Sequence, residues 1–420
     1  MFPEHPSRRG TTQQRSQLWP AARIAFTGAL VLFVSTIVIG ILNGLDLFTP
    51  RHDVLMGHVH AGTLGWVALA LAGAALLVFT DNRVVRATRV VGATRVTAAL
   101  TWAVILMVAA FYAGDVIPGD RIARPITGAI LLVALAWFIG WMIRFSKDLA
   151  STVARLGLQL AFASALIGAA FGIALGMATA GRHIPGLSPR TADAIAEAHP
   201  ASMTIGFLLL AAFAMIEWLL GDRHVGESPY GVYQMWILFA AGIMVNIAFV
   251  IRLEDFLLPP ANALMVAGVV MMMVRRRHDL KPSSWKGAGT GLFARVAVVF
   301  LVGYLVLLTV IVLRFVGGSF DVNAMSPEDQ GLLAAFDHVM AIGVMTTALF
   351  GTLAVTLHGK AASLVDHIVL WGVTIGTAGF TVGLLLVDPL PKRIFTPIMG
   401  AALLFGVVAY LREMWRPETG

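Results

Sequence analysis

The sequence predicts an all-α polytopic membrane protein, with twelve transmembrane helices arranged as three pseudo-threefold repeats of four. Hydrophobic residues make up 58 % of the 420 residues and charged residues only 13 %. A soluble domain has about a quarter of its residues charged, so most of this protein's surface must face lipid. Apolar runs of helical length predict the spans, and motifs that recur at an even spacing predict the repeats.

Runs of about 20 apolar residues mark the spans, because a helix of this length crosses the hydrocarbon core of a bilayer. Strands of a membrane β-barrel would be about ten residues long and would alternate apolar and polar side chains, which these runs do not. The predicted spans are residues 21–44, 56–80, 93–113, 124–143, 153–179, 198–220, 230–251, 256–274, 292–315, 331–357, 366–387 and 394–411.

The distribution of basic residues predicts the orientation of the chain in the membrane. With the N-terminus inside, 21 of the 30 lysines and arginines fall in inner segments. This bias predicts an integral protein of the inner (plasma) membrane with both termini in the cytoplasm. It also explains the net charge of +7 without nucleic acid, which we exclude as a partner. Residues 1–20 are polar and contain arginines, which predicts a disordered cytoplasmic tail before a single membrane domain, 21–420.

Motifs recur along the membrane domain and divide it into repeats at approximately 21–148, 149–286 and 287–420. The recurring residues are Trp102, Trp236 and Trp371 in the third helix of each repeat, and Pro125, Pro260 and Pro397 at the start of the fourth. An even number of helices per repeat gives parallel repeats. The three repeats should therefore surround an axis along the membrane normal.

Three histidines, His60, His199 and His338, lie near the start of the second helix of the three repeats, at steps of 199 − 60 = 139 and 338 − 199 = 139. Those helices run in one direction, so the histidines should share one depth in the outer leaflet. A buried imidazole in an apolar helix needs a partner, and three around one axis suggest a metal or haem.

The sequence does not decide which histidine of the first repeat corresponds to His199 and His338, because a second histidine, His58, precedes His60. Each histidine is followed by a glycine, at Gly65, Gly206 and Gly343. Matching the glycines aligns His199 with His58 instead of His60. Residues 58 and 60 are about 200° apart around a helix, so only one of them can point squarely at the axis.

The composition narrows the cofactors that this chain can hold. It contains no cysteine, which excludes disulfides, covalently attached c-type haem, iron–sulfur clusters and thiolate copper sites. Histidine must therefore supply the ligands to any bound metal, with methionine as the only soft sulfur ligand.

Twelve helices in three arcs of four, with histidines on helices 2, 6 and 10 near the outer face, resemble subunit I of the haem-copper oxidases. In that family, histidines of helices 2 and 10 hold a low-spin haem, and His60 or His58 and His338 match those positions. The helix 6 copper ligand of the family opens a His-Pro motif, which His199-Pro200 matches. The family's basic pair beside the haem propionates is matched by Lys392-Arg393.

The chain also departs from that family. The two further copper ligands of helix 7 have no counterpart, because residues 228–251 contain no histidine. The stretch after His338 is similar to the membrane haem proteins of the nitric-oxide response (NnrS type). The resemblance therefore implies a haem-binding redox protein, with b-type haem and doubtful copper. It would act on nitric oxide or dioxygen, or in electron transfer, with a redox partner or additional subunit.

Several assignments stay open at the level of sequence. The first ligand pair is His60 with His338, and the variants are His58 with His338 and His60 with Met340. His199 is a third ligand, a hydrogen-bond donor or a vestigial residue. A copper or zinc site of three histidines, and a transporter or channel without haem, are the alternative functions. Whether the protein forms a homo-oligomer is not decided by the sequence. Glu217 is interpreted as an interfacial residue near the cytoplasmic end of its helix.

Overall fold

A computed structural model of the chain describes residues 17–79, 87–114, 122–147, 149, 151–182, 188–222, 224–320 and 324–417. Most of the predicted tail, residues 1–16, lies outside these ranges. Twelve long apolar helices span the described part. They are α1 Trp19–Gly44, α2 His52–Val78, α3 Ala87–Ala113, α4 Ala123–Ser146, α5 Val153–Thr179, α6 Pro189–Leu219, α7 Pro229–Ile251, α8 Glu254–Arg275, α9 Gly289–Val316, α10 Pro327–His358, α11 Leu364–Leu385 and α12 Pro389–Met414.

The protein is thus an all-α, integral multi-pass membrane protein with twelve spans, as predicted. The largest difference from the prediction is at the start of α6, which begins at Pro189 instead of residue 198. The side chain of Ser188 accepts a hydrogen bond from the backbone N–H of Thr191, which caps this polar first stretch. Ser326 caps α10 in the same way, through the N–H of Asp329. Hydropathy alone does not detect such polar turns, because their stability comes from the cap.

The helices form a ring of three units, α1–α4, α5–α8 and α9–α12. The last helix of each unit packs on the first helix of the next, in the pairs α4 with α5, α8 with α9 and α12 with α1. The α12–α1 contact closes the ring: the indole N–H of Trp415 donates to the hydroxyl of Thr27 at 3.1 Å, and the guanidinium of Arg23 lies 4.1 Å from the Trp415 ring centroid.

The second helix of each unit lies at the centre of the ring. The most apolar stretch of α2, α6 and α10 is 78 % buried in each case, against 33–50 % for the other nine helices. We call the membrane face at which these three helices begin the histidine face, and the opposite face, where α1 begins and α12 ends, the terminal face.

Each central helix contains a π-helical stretch. These stretches are Ala61–Ala68 in α2, Ser202–Leu208 in α6 and Val339–Thr346 in α10, and α-helix continues on both sides. π-helical turns are rare in proteins, and those that occur are often found at functional sites. Its recurrence at one place in all three units supports the predicted repeat and fixes how the units align.

Glu217 near the terminal face does not have the predicted interfacial role. Its side chain is 1 % exposed and forms ion pairs with Arg275 and Arg276, which are also buried. Arg276 further donates to the carbonyl of Gly221 at 2.8 Å. The interpretation was wrong because both arginines, expected in an inner loop, instead turn into the protein at the end of α8. We call Glu217, Arg275 and Arg276 the terminal-face cluster.

Candidate functional site

His60 ends the α-helical part of α2, directly before the π-helical stretch. Its Nδ1 lies 2.8 Å from the carbonyl oxygen of Met56, one turn earlier. The ring stacks on Phe111 of α3, with ring centroids 3.8 Å apart and planes 19° apart. The Arg124 guanidinium lies 4.9 Å from the Phe111 ring and forms an ion pair with Asp53. The orientation of the His60 imidazole is thus fixed by contacts from α2 and α3.

His338 repeats this arrangement in α10. It too directly precedes a π-helical stretch, and its Nδ1 lies 2.7 Å from the carbonyl oxygen of Ala334, four residues earlier. A phenylalanine of the third helix of its unit, Phe380, lies against the ring, with centroids 5.0 Å apart. His60 and His338 are therefore equivalent in local structure as well as in sequence position.

His199 is held by a different helix. Its Nδ1 lies 2.8 Å from the carbonyl oxygen of Gly168 in α5. The ring packs on Gly172 so closely that a Cβ at that position would lie 2.8 Å from its Cε1 atom. His199 stands three residues before the π-helical stretch of α6, where His58 stands in α2. The glycine alignment was therefore the correct one, and the equal steps of 139 residues are partly coincidental.

These hydrogen bonds determine which ring nitrogen is available to a ligand. A backbone carbonyl can only accept, so Nδ1 of His60, His199 and His338 must carry the proton and donate it. In a neutral imidazole the lone pair is then on Nε2. Histidines that bind metals commonly have this arrangement, in which a hydrogen bond from one nitrogen orients the other toward the metal.

Two of the imidazoles lie side by side at the boundary between units one and two. The ring centroids of His60 and His199 are 6.5 Å apart, and the ring planes differ by 12°. The structure thus brings His60 together with His199. The pairs of His60 with His338, His58 with His338 and His60 with Met340 stay predictions.

His58 carries a buried polar atom that calls for a partner. Its Nδ1 has no hydrogen-bond partner among the described residues, whereas its backbone carbonyl accepts from Thr36 at 3.4 Å. Buried polar atoms are nearly always paired with protein, water or a ligand. The His58 ring also lies against Gly40 of α1, where an added Cβ would be 3.5 Å from Cε1. The donor set and this unpaired nitrogen fit a cofactor held by imidazoles.

The histidine end of the central helices is also more open than the other end. Residues 69–79, 205–217 and 343–354 are all buried, whereas most of 53–60, 196–204 and 333–338 are partly exposed. Asp337, directly before His338, is exposed although it lies well inside a helix of 32 residues. The histidines therefore border accessible space, which a bound group requires.

Lys392 and Arg393 lie at the histidine face, at the start of α12. Lys392 Nζ is 2.6 Å from Oδ1 of Asp46 and Arg393 Nε is 3.0 Å from Oδ2 of the same carboxylate. Hydrogen bonds from Lys392 first and Arg393 second hold the pKa of Asp46 below its usual value. Two cations meet one carboxylate, so one positive charge remains. Their role toward haem propionates stays a prediction.

The described residues contain no group of three or more histidine, aspartate or glutamate side chains that could hold a metal ion. The contact between imidazole rings that the structure does show joins two histidines, His60 and His199. The phenylalanines beside His60 and His338 were not predicted, yet the sequence contained a signal for them. Phe111 and Phe380 each stand nine residues after a recurring tryptophan, Trp102 and Trp371.

No model of a known protein family matches the chain, and a search of the curated proteins finds no match to it.

Proposed function

We propose that this chain is a haem-binding membrane redox protein in which His58, His60, His199 and His338 would hold the haem. The observation that carries the proposal is the pairing of His60 with His199, in which each Nδ1–H donates to a carbonyl and each Nε2 is left available. Imidazoles on neighbouring central helices would be able to hold such a group between them.

The distance between these two rings suits a shared metal. A metal bound by two imidazole nitrogens, with bonds of about 2 Å, places the two ring centroids about 6 Å apart. The observed separation is 6.5 Å. Packed rings also have centroids about 4.5–7 Å apart, so the spacing is compatible with a metal, and the donation of Nδ1–H by both rings is the stronger support.

The haem would be held without covalent attachment, because the chain has no cysteine, and we propose that it is b-type. When bound, it supplies an iron that accepts and releases one electron. The residual positive charge of Lys392 and Arg393 would pair with propionates at the histidine face. Phe111 would hold the His60 ring in place, and the buried opposite half of α2, α6 and α10 would exclude water.

The proposed reaction depends on whether the chain has the ligands for a copper centre. The second copper ligands of an oxidase would come from α7, and residues 229–251 include no histidine. We therefore favour electron transfer or a reaction with nitric oxide over dioxygen reduction at a copper centre. We further propose an inner-membrane location with cytoplasmic termini, so that a redox partner or additional subunit meets the site from the outer side. A homo-oligomer is compatible with this location.

The test is an optical spectrum of detergent-purified protein, oxidised and dithionite-reduced, with haem measured per chain. We expect a Soret band and a sharp α-band in the reduced state, at a wavelength that distinguishes b-type from a-type haem. Replacement of all four histidines by alanine should remove the bands. Replacement of His278 and His367, which lie away from the site, should leave them. A colourless wild-type protein expressed with ample haem would contradict the proposal and favour a transporter.

A further inference from the structure

The π-helical stretches define two equivalent positions in each unit. The position directly before the stretch holds His60 in unit one, Ala201 in unit two and His338 in unit three. The position three residues before it holds His58, His199 and Phe336. We call these the near and the far position. Six positions therefore carry four histidines, one alanine and one phenylalanine.

The near positions of units one and three have the same surroundings. In both, Nδ1 donates to the carbonyl four residues earlier, and a phenylalanine of the third helix of the unit lies against the ring. These phenylalanines, Phe111 and Phe380, stand at equivalent positions of the repeat, where unit two has Val245. The aromatic partner is thus present where the near position is histidine and absent where it is alanine.

The pairing of the histidines follows the order of the units around the ring. His60, at the near position of unit one, faces His199, at the far position of unit two. His338, at the near position of unit three, and His58, at the far position of unit one, occupy the equivalent positions at the next boundary, where the π-helical stretches of α2 and α10 are joined by the hydrogen bond from Trp66 to Thr346. A rotation that brings unit three onto unit one also brings unit one onto unit two. The same rotation therefore converts the second pair into the first.

We propose that the protein has two separate bis-imidazole sites, His60 with His199 and His58 with His338, on opposite sides of α2. This inference rests on the proposed haem function and adds to it the number and location of the groups. Residues 58 and 60 are about 200° apart around a helix, so one helix presents a ligand to each of its two neighbouring units. α2 is shared, whereas α6 and α10 each contribute to one site.

The third boundary, between units two and three, has no such site. Its near and far positions are Ala201 and Phe336, neither of which carries an atom that binds a metal. Phe336 is 6 % exposed and stacks on Tyr304, with ring centroids 4.6 Å apart and planes 22° apart. An aromatic side chain therefore occupies the position at which the other boundaries have an imidazole, and the number of sites is two.

The test is the haem content of the wild-type chain and of two matched single variants. We expect two haems per chain in the wild type. His199→Ala and His338→Ala should each lose about half of the haem, and the spectra of the two remaining halves should differ. The combined variant should lose all of it. His60→Ala and His58→Ala should match His199→Ala and His338→Ala respectively, because they disrupt the same pairs.

Other outcomes separate this inference from the proposed function. One haem per chain, or loss of all haem in any one of these single variants, would overturn the two sites while leaving haem binding intact. Absence of haem from the wild type would contradict the proposed function itself. If an alanine variant fails to fold, His199→Gly and His338→Gly supplied with free imidazole provide the second measurement. Free imidazole should restore the lost half of the haem in each glycine variant. If neither glycine variant recovers haem, the proposed pairs are contradicted.

Discussion

The indole N–H of Trp66 donates a hydrogen bond to the hydroxyl of Thr346, 2.8 Å away, and so joins the π-helical stretches of α2 and α10. Both side chains are fully buried, at 1 % and 0 % exposure. Thr346 in turn donates to the carbonyl of Ala341, five residues earlier. This buried hydrogen bond between side chains fixes the position of α2 relative to α10 within the π-helical stretches that follow His60 and His338.

Replacing Thr346 by valine should destabilise the protein by about 1–3 kcal/mol, because the buried indole N–H loses its acceptor. Valine has nearly the same shape as threonine, so packing changes little. The matched control is Thr352→Val, since the hydroxyl of Thr352 bonds only to the carbonyl of Ala348 in its own helix. Denaturant unfolding in mixed micelles measures both. Equal losses in the two variants would show that the Trp66 contact has no special role.

The terminal-face cluster should be sensitive to loss of the Glu217 carboxylate, which pairs with both arginines, whereas Asp279 pairs with Arg276 alone at 3.3 Å. Glu217→Gln leaves the guanidiniums of Arg275 and Arg276 buried without that counter-charge, and removing one partner of a buried ion pair typically costs about 3–5 kcal/mol. Glu413→Gln, which alters a more exposed pair with Arg416, should cost less than about 0.5 kcal/mol. The same unfolding assay compares them, and a neutral Glu217→Gln would refute this account of the cluster.

The contact of Asp46 with Lys392 and Arg393 should make stability depend on pH at the acidic end. The native pKa of Asp46 is lowered, so its contribution is fully present above the unfolded value of about 4. It is lost as the pH falls through the lower native pKa. Asp46→Asn should therefore lower the melting temperature at neutral pH, and its difference from wild type should shrink as the solution becomes acidic.

The control for this pH dependence is Asp193→Asn, at an exposed position in α6. It should leave the melting temperature close to that of the wild type across the same range. A difference between wild type and Asp46→Asn that stays constant down to the most acidic pH tested would show that the charge of Asp46 is not the cause.

Gly172 should be essential for the position of His199. An added Cβ would lie 2.8 Å from Cε1 of His199, closer than van der Waals contact allows, and the ring cannot move away without breaking its hydrogen bond to Gly168. Gly172→Ala should therefore lower haem content by about half in the two-site protein. Gly176→Ala, one turn along α5, meets only Pro125 at 3.5 Å and should retain full haem. Full haem in Gly172→Ala would contradict the role of His199.

Hydropathy was sufficient to predict the twelve spans, because every helix that crosses a bilayer needs a run of about 20 apolar residues. The recurring residues were sufficient to predict three units. The π-helical stretches were not predictable. Their hydrogen-bond pattern depends on contacts between helices, such as Trp66 with Thr346, and the sequence of residues 61–68 is that of an ordinary apolar helix.

The residue types of the site were predictable, but their partners were not. The sequence selected His58, His60, His199 and His338, yet the choice among pairs depends on the rotation of each helix about its axis. The units also differ in length: the π-helical stretches begin 202 − 61 = 141 and 339 − 202 = 137 residues apart, so the equal steps of 139 residues misaligned His199 with His60. In the same way, nothing near Glu217 in the sequence indicated that arginines about 58 residues later would turn inward to meet it.

The contact between α12 and α1 joins units three and one although no peptide connection links them there. The hydrogen bond from Trp415 to Thr27 lies at this boundary, at the terminal face. A circularly permuted chain that begins with α5 and ends with α4, its present ends joined by a flexible linker, should assemble into the same ring. The ring would then be held together by packing between units and would not depend on which boundary lacks a peptide connection.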